Sequence, residues 1–198
     1  EDHKTVQISI QSASLLLPEM IREIQKQDSA IQLQILQQKP ADSGTADLYI
    51  TASWQPDNSQ NACILMEEAL GVALPKEHPL ASKKQLCLRD IQYESFLSLN
   101  TESCLSDTVT HYCRSIGFSP SISTWVDSPN IMRDLLRMNL GLAFIPQFTW
   151  KDFATDSVVF KEITDLPMKR YLILSWQPNK YLNPSVLLCK EAIIQYFT

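Results

Sequence analysis

The sequence predicts an α/β protein built as two lobes. Two observations carry this prediction: strands alternate with helices along the 198 residues, and a polar connector at 75–84 separates two successive α/β units. Only four residues are glycine, against roughly 14 in an average chain of this length. The glycine-rich phosphate loops are therefore excluded, because neither G-x-G-x-x-G nor G-x-x-x-x-G-K-[ST] can be written in this sequence.

The first unit is predicted to be β-α-β followed by further strands. Residues 5–10 alternate polar and apolar side chains, which predicts a strand. Residues 15–27 carry apolar side chains every three to four positions, which predicts an amphipathic helix, and Ser14 is its expected N-cap. Further strands are predicted at 31–36, 47–51 and 69–74.

The second unit continues this alternation. A strand at 95–99 precedes a helix that ends at Gly117, where glycine suits a left-handed cap. Ser103 and Ser128 each precede a helix and are expected N-caps, with Pro129 opening the second helix. The remaining elements are predicted at 88–91 (helix), 121–126, 142–145, 158–163 and 170–176 (strands), and from Asn183–Pro184 to Phe197 (helix).

Composition and missing motifs exclude several classes of function. The net charge of −5 argues against nucleic-acid binding by this chain itself. Neither H-E-x-x-H nor C-x-x-C occurs, and no nucleophile or acid–base pair stands out, so we expect no metal, no cofactor and no enzymatic activity. Five unevenly spaced cysteines and the lack of a long apolar run indicate a reduced, cytoplasmic chain without a membrane segment. His78 is expected in the connector turn, and Glu67-Glu68 on a solvated face.

Four segments occur in an order and spacing that resemble one family. They are Ala46–Ile50 (similar to "LDLAI"), Leu74–Ala81 ("VPxxHPLA"), Leu88–Ile91 ("LxDL") and Val126–Pro146 ("VxSxxxxxxLVxxGLGIxxLP"). Together they resemble the effector-binding domain of LysR-type transcriptional regulators over almost the whole chain. The sequence departs from the pattern in two places. Residues 37–46 are too few for the helix usual there, and Asn139, which can adopt a positive φ, replaces the first glycine of G-x-G.

The resemblance implies a fold, a partner and a mechanism. The fold would be two Rossmann-like lobes joined by two crossover segments, like a type 2 periplasmic binding protein, with lobe I at 1–75 plus 168–198 and lobe II at 76–167. A small metabolite, for which a carboxylate is one candidate head group, would bind in the interlobe cleft and alter dimer or tetramer geometry to control transcription. The homodimer would form through helix 15–27 and strand 31–36, and DNA would be bound only through a helix-turn-helix domain that is expected ahead of this chain.

Candidate ligand contacts follow the predicted strand ends, because α/β sheets bind ligands beyond the carboxyl ends of strands, where helix N-termini favour anions. Most of the candidates carry an uncharged hydroxyl or amide, which suits a small anion. Ser14, Ser103 and Ser128 are equally well explained as N-caps alone. The candidates are Ser12, Ala13, Ser14, Gln37, Gln38, Thr51, Asn100, Thr101, Ser103, Asp127, Ser128, Gln147 and Phe148.

Two alternatives remain open at this point. The run Cys104-Leu-Ser-Asp followed by Cys113 resembles the redox segment of OxyR-type peroxide sensors, and a helix N-terminus favours a thiolate at Cys104. Nine residues of intact helix separate two side chains by about 13 Å. A disulfide needs Cα atoms within about 7 Å, so bridging would require unwinding. Against this, cysteine often serves only as a small buried apolar residue.

The second alternative is a transporter's solute-binding protein of similar fold.

Overall fold

The computed structural model describes residues 5–37, 44–100 and 103–198. The chain forms two compact units, which we call unit 1 (Glu1–Glu67 with Tyr171–Thr198) and unit 2 (Glu68–Arg170). The lobe limits expected from the sequence, after residues 75 and 167, stay a prediction. None of the helices within the described ranges is both long and apolar enough to cross a membrane.

The elements alternate along the chain as an α/β protein requires. The strands are β1 Thr5–Ile10, β2 Gln32–Gln37, β3 Leu48–Ser53, β4 Ala62–Pro75, β5 Ser95–Leu99, β6 Ser121–Val126, β7 Ala143–Pro146, β8 Val158–Lys161 and β9 Met168–Trp176. The α-helices are α1 Leu17–Gln27, α2 Leu88–Ile91, α3 Cys104–Ser115, α4 Pro129–Arg137 and α5 Pro184–Tyr196. Short 3-10 helices cover Ser14–Leu16, Pro79–Ser82 and Lys151–Phe153.

Unit 1 is built on a sheet in which β1 lies between β2 and β3. All three strands are parallel, and β3 also pairs antiparallel with residues 171–176 of β9. α1 packs against α5, and the core includes Ile8, Met20, Ile24 and Ile193, each 1% exposed. Because the three strands are parallel, the residues that follow β1, β2 and β3 lie at one edge of the sheet.

Unit 2 places β5 between β6 and the chain segment that leads into β7. β5 and β6 are parallel, while Leu97 N donates to Leu142 O over 2.7 Å and Leu142 N donates to Ser95 O over 2.8 Å. β4 pairs antiparallel with both β7 and β8, and the rings of Phe96 and Phe144 stack in the core 5.1 Å apart. Strands β5, β6 and β7 therefore run in one direction and end at a common edge.

The start of α1 differs from the prediction. Ser14 was expected to cap this helix, but it begins a 3-10 helix instead, and the N-cap position of α1 is Leu16, which offers no capping side chain. The reason is the backbone of Ala13, whose φ of 62° is left-handed and turns the chain directly into the 3-10 helix. Ser14 is exposed and does not cap a helix.

Two strand limits also differ. β3 continues through Ser53, so Thr51 lies inside the strand, paired with Ile173, rather than after it. β4 begins at Ala62, seven residues before its predicted start. The prediction was late because the charged pair Glu67-Glu68 interrupts the apolar pattern of this strand. The expectation of a solvated pair was wrong for Glu68, which is only 4% exposed.

Several local predictions are confirmed. Gly117 has a left-handed φ of 69°, and Asn139 replaces glycine with a φ of 56°, which asparagine adopts at low cost. The side chain of Asn183 accepts a hydrogen bond from Val186 N and caps α5. Residues 38–43, which make up most of the segment expected to be too short for a helix, lie outside the described residues.

Candidate functional site

The turn after β1 holds the most distinctive group of predicted residues. Gln11 N and Ser12 N both donate to Ile50 O, at 2.9 and 3.3 Å, which fixes this turn to β3. Ser12 is only 8% exposed, and its hydroxyl forms no hydrogen bond with any described residue. Among the described residues, the Ser12 hydroxyl is not one of the buried polar atoms that lack a partner, so it keeps contact with solvent. A hydroxyl that solvent reaches and that no described residue binds is a candidate ligand contact.

The next two residues add to the same turn. Ala13 is a non-glycine residue in the left-handed region, a conformation that costs free energy and is concentrated at functional sites. Ser14 exposes its hydroxyl at the start of the helical segment, where backbone N–H groups lack partners within the helix. Ser12, Ala13 and Ser14 together present two uncommitted hydroxyls beside N–H donors, an arrangement suited to an anion.

The other predicted residues of unit 1 contribute less. Gln37 is exposed at the end of β2 and pairs with Ile10, so it lies at the same sheet edge as the turn. Thr51 is half-buried within β3. Gln38 lies outside the described residues.

In unit 2, some of the candidate ligand contacts already form hydrogen bonds within the protein. Asn100 N donates to Val126 O over 3.1 Å, and Asn100 Nδ2 donates to Asp127 Oδ1, so the first residues after β5 and β6 are in contact. Ser103 Oγ accepts from Ser106 N over 3.0 Å and caps α3. Ser128 occupies the N-cap position of α4 without a capping side-chain bond, which leaves its hydroxyl available. Thr101 lies outside the described residues.

Gln147 and Phe148 follow β7 and expose their side chains. Gln147 N donates to Ala69 O over 2.9 Å, and Lys151 Nζ lies 5.3 Å from the centre of the Phe148 ring. Phe148 N donates to Glu68 Oε2 over 3.1 Å, which ties this turn to β4. The backbone N–H groups of both residues are therefore already hydrogen-bonded within the protein. Of these two residues, only the side chains, the Gln147 amide and the Phe148 ring, face solvent.

Sequence reasoning missed a buried ionic network in unit 2. Glu68 accepts from Arg170 Nε at 2.8 Å and from Thr149 N and Oγ1 at 2.9 and 3.0 Å. Arg170 also donates to Thr149 Oγ1. The available signal was an acidic pair, Glu67-Glu68, and a basic pair, Lys169-Arg170, each inside an otherwise largely apolar strand. Because successive side chains of a strand point to opposite faces, one charge of each pair faces the core, and burial of opposite charges requires pairing.

The cysteines are all free thiols. Cys104 is half-buried at the first position of α3, and Cys113 is 2% exposed near its end. Burial raises the pKa of the Cys113 thiol to about 11, which disfavours a thiolate there. Both residues lie on one continuous helix, so the predicted obstacle to a disulfide is present.

His78 is the remaining polar residue for which the sequence made a structural prediction. His78 Nδ1 accepts from Leu80 N over 3.2 Å in the turn before the Pro79–Ser82 helix, which confirms its expected role in the connector. Among the described residues, no three His, Cys, Asp or Glu side chains are grouped so that they could hold a metal ion.

Comparison with known proteins decides the family. The family model described as the LysR substrate binding domain matches residues 2–198. The chain belongs to this family. Among curated relatives, it is 26% identical over 190 residues to the uncharacterized HTH-type transcriptional regulator YybE of Bacillus subtilis, covering 92% of this chain and 64% of that protein. It is 29% identical to the regulator CatR of Pseudomonas putida, over 91% of this chain and 64% of CatR.

Solved structures share the fold of the LysR substrate binding domain. The CcmR regulatory domain of Synechocystis PCC6803, solved in complex with 2-PG, has a TM-score of 0.83 at 16% identity over 96% of both chains. The effector binding domain of QuiR, in complex with shikimate, has a TM-score of 0.78 at 20% identity over 98% of this chain and 97% of that one. The fold is therefore the two-lobed, type 2 periplasmic-binding-protein-like architecture that the resemblance implied.

These findings give the chain its general role. It is the effector-binding domain of a LysR-type regulator, and the family consists of transcriptional regulators rather than enzymes. Regulators of this family bind small-molecule effectors, form oligomers and carry an N-terminal DNA-binding domain. The chain spans 64%, 45% and 58% of the length of three curated relatives that it matches.

Proposed function

We propose that this LysR-type domain binds a small, carboxylated metabolite through residues that follow its strands (the strand-end residues), with the carboxylate held by the turn after β1. The observation that carries the proposal is the Ser12 hydroxyl, which keeps access to solvent on a residue that is only 8% exposed and has no hydrogen-bond partner among the described residues. A carboxylate oxygen would accept from Ser12 Oγ and from N–H groups at the start of the helical segment. In unit 2, the available donors are Ser128 Oγ and the Gln147 amide.

The chemistry of these groups favours a compact, singly or doubly charged acid. They are neutral donors, so they suit an anion whose charge is shared among several hydrogen bonds rather than paired with one cation. Asp127 lies beside Ser128 and is held by Asn100. A ligand hydroxyl could donate to this carboxylate, so a hydroxylated acid fits the residues of unit 2 best.

Isothermal titration calorimetry tests the proposal. A panel of small carboxylates that includes shikimate is titrated into the unmodified chain. The carboxylate that binds most tightly is then titrated into the Ser12→Ala and Ser29→Ala variants. Ser29 is an exposed serine of the same unit and serves as the matched control. We expect Ser12→Ala to weaken binding about tenfold or more, because a hydrogen bond to a charged group is lost, with Ser29→Ala unchanged. Equal affinities in all three proteins would reject the assignment.

We also infer that the domain forms a homodimer through residues 15–27 and 31–36. β2 pairs with β1 on one side, and Leu33, Ile35 and Leu36 remain half-buried there. An edge strand with apolar side chains is a natural surface for self-association. Light scattering should show Leu33→Asp as a monomer and Leu187→Asp, on the exposed surface of α5, as a dimer. If both variants are dimers, the proposed surface is not the dimer interface.

Transcriptional control by the full-length protein follows from these two proposals. An effector that binds one conformation of the domain better than another shifts the population toward it. In a dimer or tetramer, that shift would change the spacing of the DNA-binding domains. The protein would act in the cytoplasm, where transcription takes place.

A further inference from the structure

Unit 2 contains a cavity that none of the strand-end residues lines. It lies between α3 and strands β5 and β6 and has a volume of about 250 Å³. One face of α3 forms one wall, and residues of β5 and β6, of the turn after α3 and of β7 form the rest. The lining is mainly apolar and includes Leu97, Leu105, Val109, Phe118, Ile122 and Phe144.

One charged side chain lines this cavity. Arg114, on the last turn of α3, is exposed and forms no ion pair or hydrogen bond with any described residue. Trp125 also lines the cavity, and it is 54% exposed. The apolar interior thus has an unpaired guanidinium and an aromatic ring on its accessible side.

The size and the lining define the class of ligand. An apolar cavity of about 150 Å³ holds one benzene molecule, so 250 Å³ has room for one ring or a short alkyl chain with a small head group. An unpaired guanidinium binds a carboxylate with two parallel hydrogen bonds. We propose that this cavity binds a small amphipathic carboxylate, with its apolar body under α3 and its carboxylate on Arg114.

This site is separate from the proposed effector site in both residues and chemistry. Its ligand is held by burial of apolar surface and by one cation, whereas the strand-end residues offer neutral donors. Binding here would bear on α3, whose N-cap residue Ser103 donates its backbone N–H to Asn100 O, directly after β5, over 2.9 Å. The cavity would then act as a second input to the same domain.

Titration with phenylacetate, hexanoate and phenylacetamide tests the proposal. Binding is measured by methyl NMR of Val109 and Leu105 and by calorimetry. We expect phenylacetate or hexanoate to shift both methyl resonances saturably, and the better of the two identifies an aromatic or an aliphatic body. The uncharged amide should bind about tenfold more weakly, because it lacks the ion pair. Equal binding of acid and amide, or no saturable shift at millimolar concentration, would overturn the proposal.

Variants separate this site from the rest of the domain. Arg114→Gln should reduce acid binding to the level of the amide, while Arg89→Gln, an exposed arginine on α2, should leave it unchanged. Val109→Trp should fill the cavity and abolish binding. If Val109→Trp does not fold, Arg114→Gln still tests the proposal. The Arg114 side chain is exposed, so its replacement should leave the fold intact. Loss of binding in Ser12→Ala, or an equal loss in Arg89→Gln, would overturn the assignment.

Discussion

Arg170 donates its Nε–H to Glu68 Oε1 over 2.8 Å, and the two side chains are 2% and 1% exposed. Glu68 lies in β4 and Arg170 in β9, and they are the first and last residues of unit 2. Thr149 contacts both: its hydroxyl donates to Glu68 Oε1, the oxygen that Arg170 also binds, and accepts from Arg170, while its N–H donates to Oε2. The network therefore joins the two chain ends of unit 2 to the turn after β7.

Removing one charge of this pair should destabilise the fold strongly. We expect Glu68→Ala to lower the free energy of unfolding in urea by about 3–5 kcal/mol, because it leaves the Arg170 charge buried without a partner. Glu67→Ala, at the exposed neighbouring position, should change it by about 1 kcal/mol or less. Similar losses in the two variants would show that the ion pair does not govern stability here.

Two serines at equivalent cap positions should respond differently to alanine. Ser103 accepts from Ser106 N at the start of α3, whereas Ser128 makes no capping bond at the start of α4. Ser103→Ala should therefore cost about 1 kcal/mol in thermal or urea unfolding, and Ser128→Ala only a few tenths. If Ser128→Ala costs as much as Ser103→Ala, its hydroxyl has a structural partner and is not available to a ligand.

The buried thiol of Cys113 should make stability depend on alkaline pH. Burial raises its pKa from 9.0 to about 11, so the folded chain holds a proton that the unfolded chain releases between these values. The stabilising contribution is fully present below pH 9.0 and is lost as the pH rises toward 11. We expect Cys113→Ser to show a shallower fall in the free energy of unfolding over this range. Identical slopes would contradict it.

The same thiol should resist oxidation. With the Cys113 thiol protonated and α3 continuous, peroxide should give no Cys104–Cys113 linkage in the folded chain. Peptide mass spectrometry after mild peroxide treatment checks this, with the same treatment in urea as the control. A linkage formed under native conditions would support peroxide sensing instead.

The fold could be predicted from the sequence wherever a local pattern decides the structure. The alternation in 5–10, the cap at Ser103, the helix start at Asn183, and the left-handed Gly117 and Asn139 depend on neighbours in the chain, and all agree with the structure. Ser14 did not follow its pattern, because the backbone of Ala13 starts a 3-10 helix before α1.

The features that depend on distant residues were not predictable in this way. Glu68 looks like a surface residue until Arg170, 102 positions later, is placed beside it. The uncommitted Ser12 hydroxyl and the cavity under α3 are likewise properties of packing. The sequence could name the residues after each strand, but not which were already bonded, as Asn100 and Asp127 are to each other.

A crystal structure of the chain with the tightest-binding carboxylate tests the central claim most directly. The account predicts ligand density with a carboxylate oxygen within hydrogen-bond distance of Ser12 Oγ and of backbone N–H groups at the start of the 3-10 helix. Full occupancy of a ligand elsewhere, with Ser12 Oγ bonded only to protein or water, would contradict it.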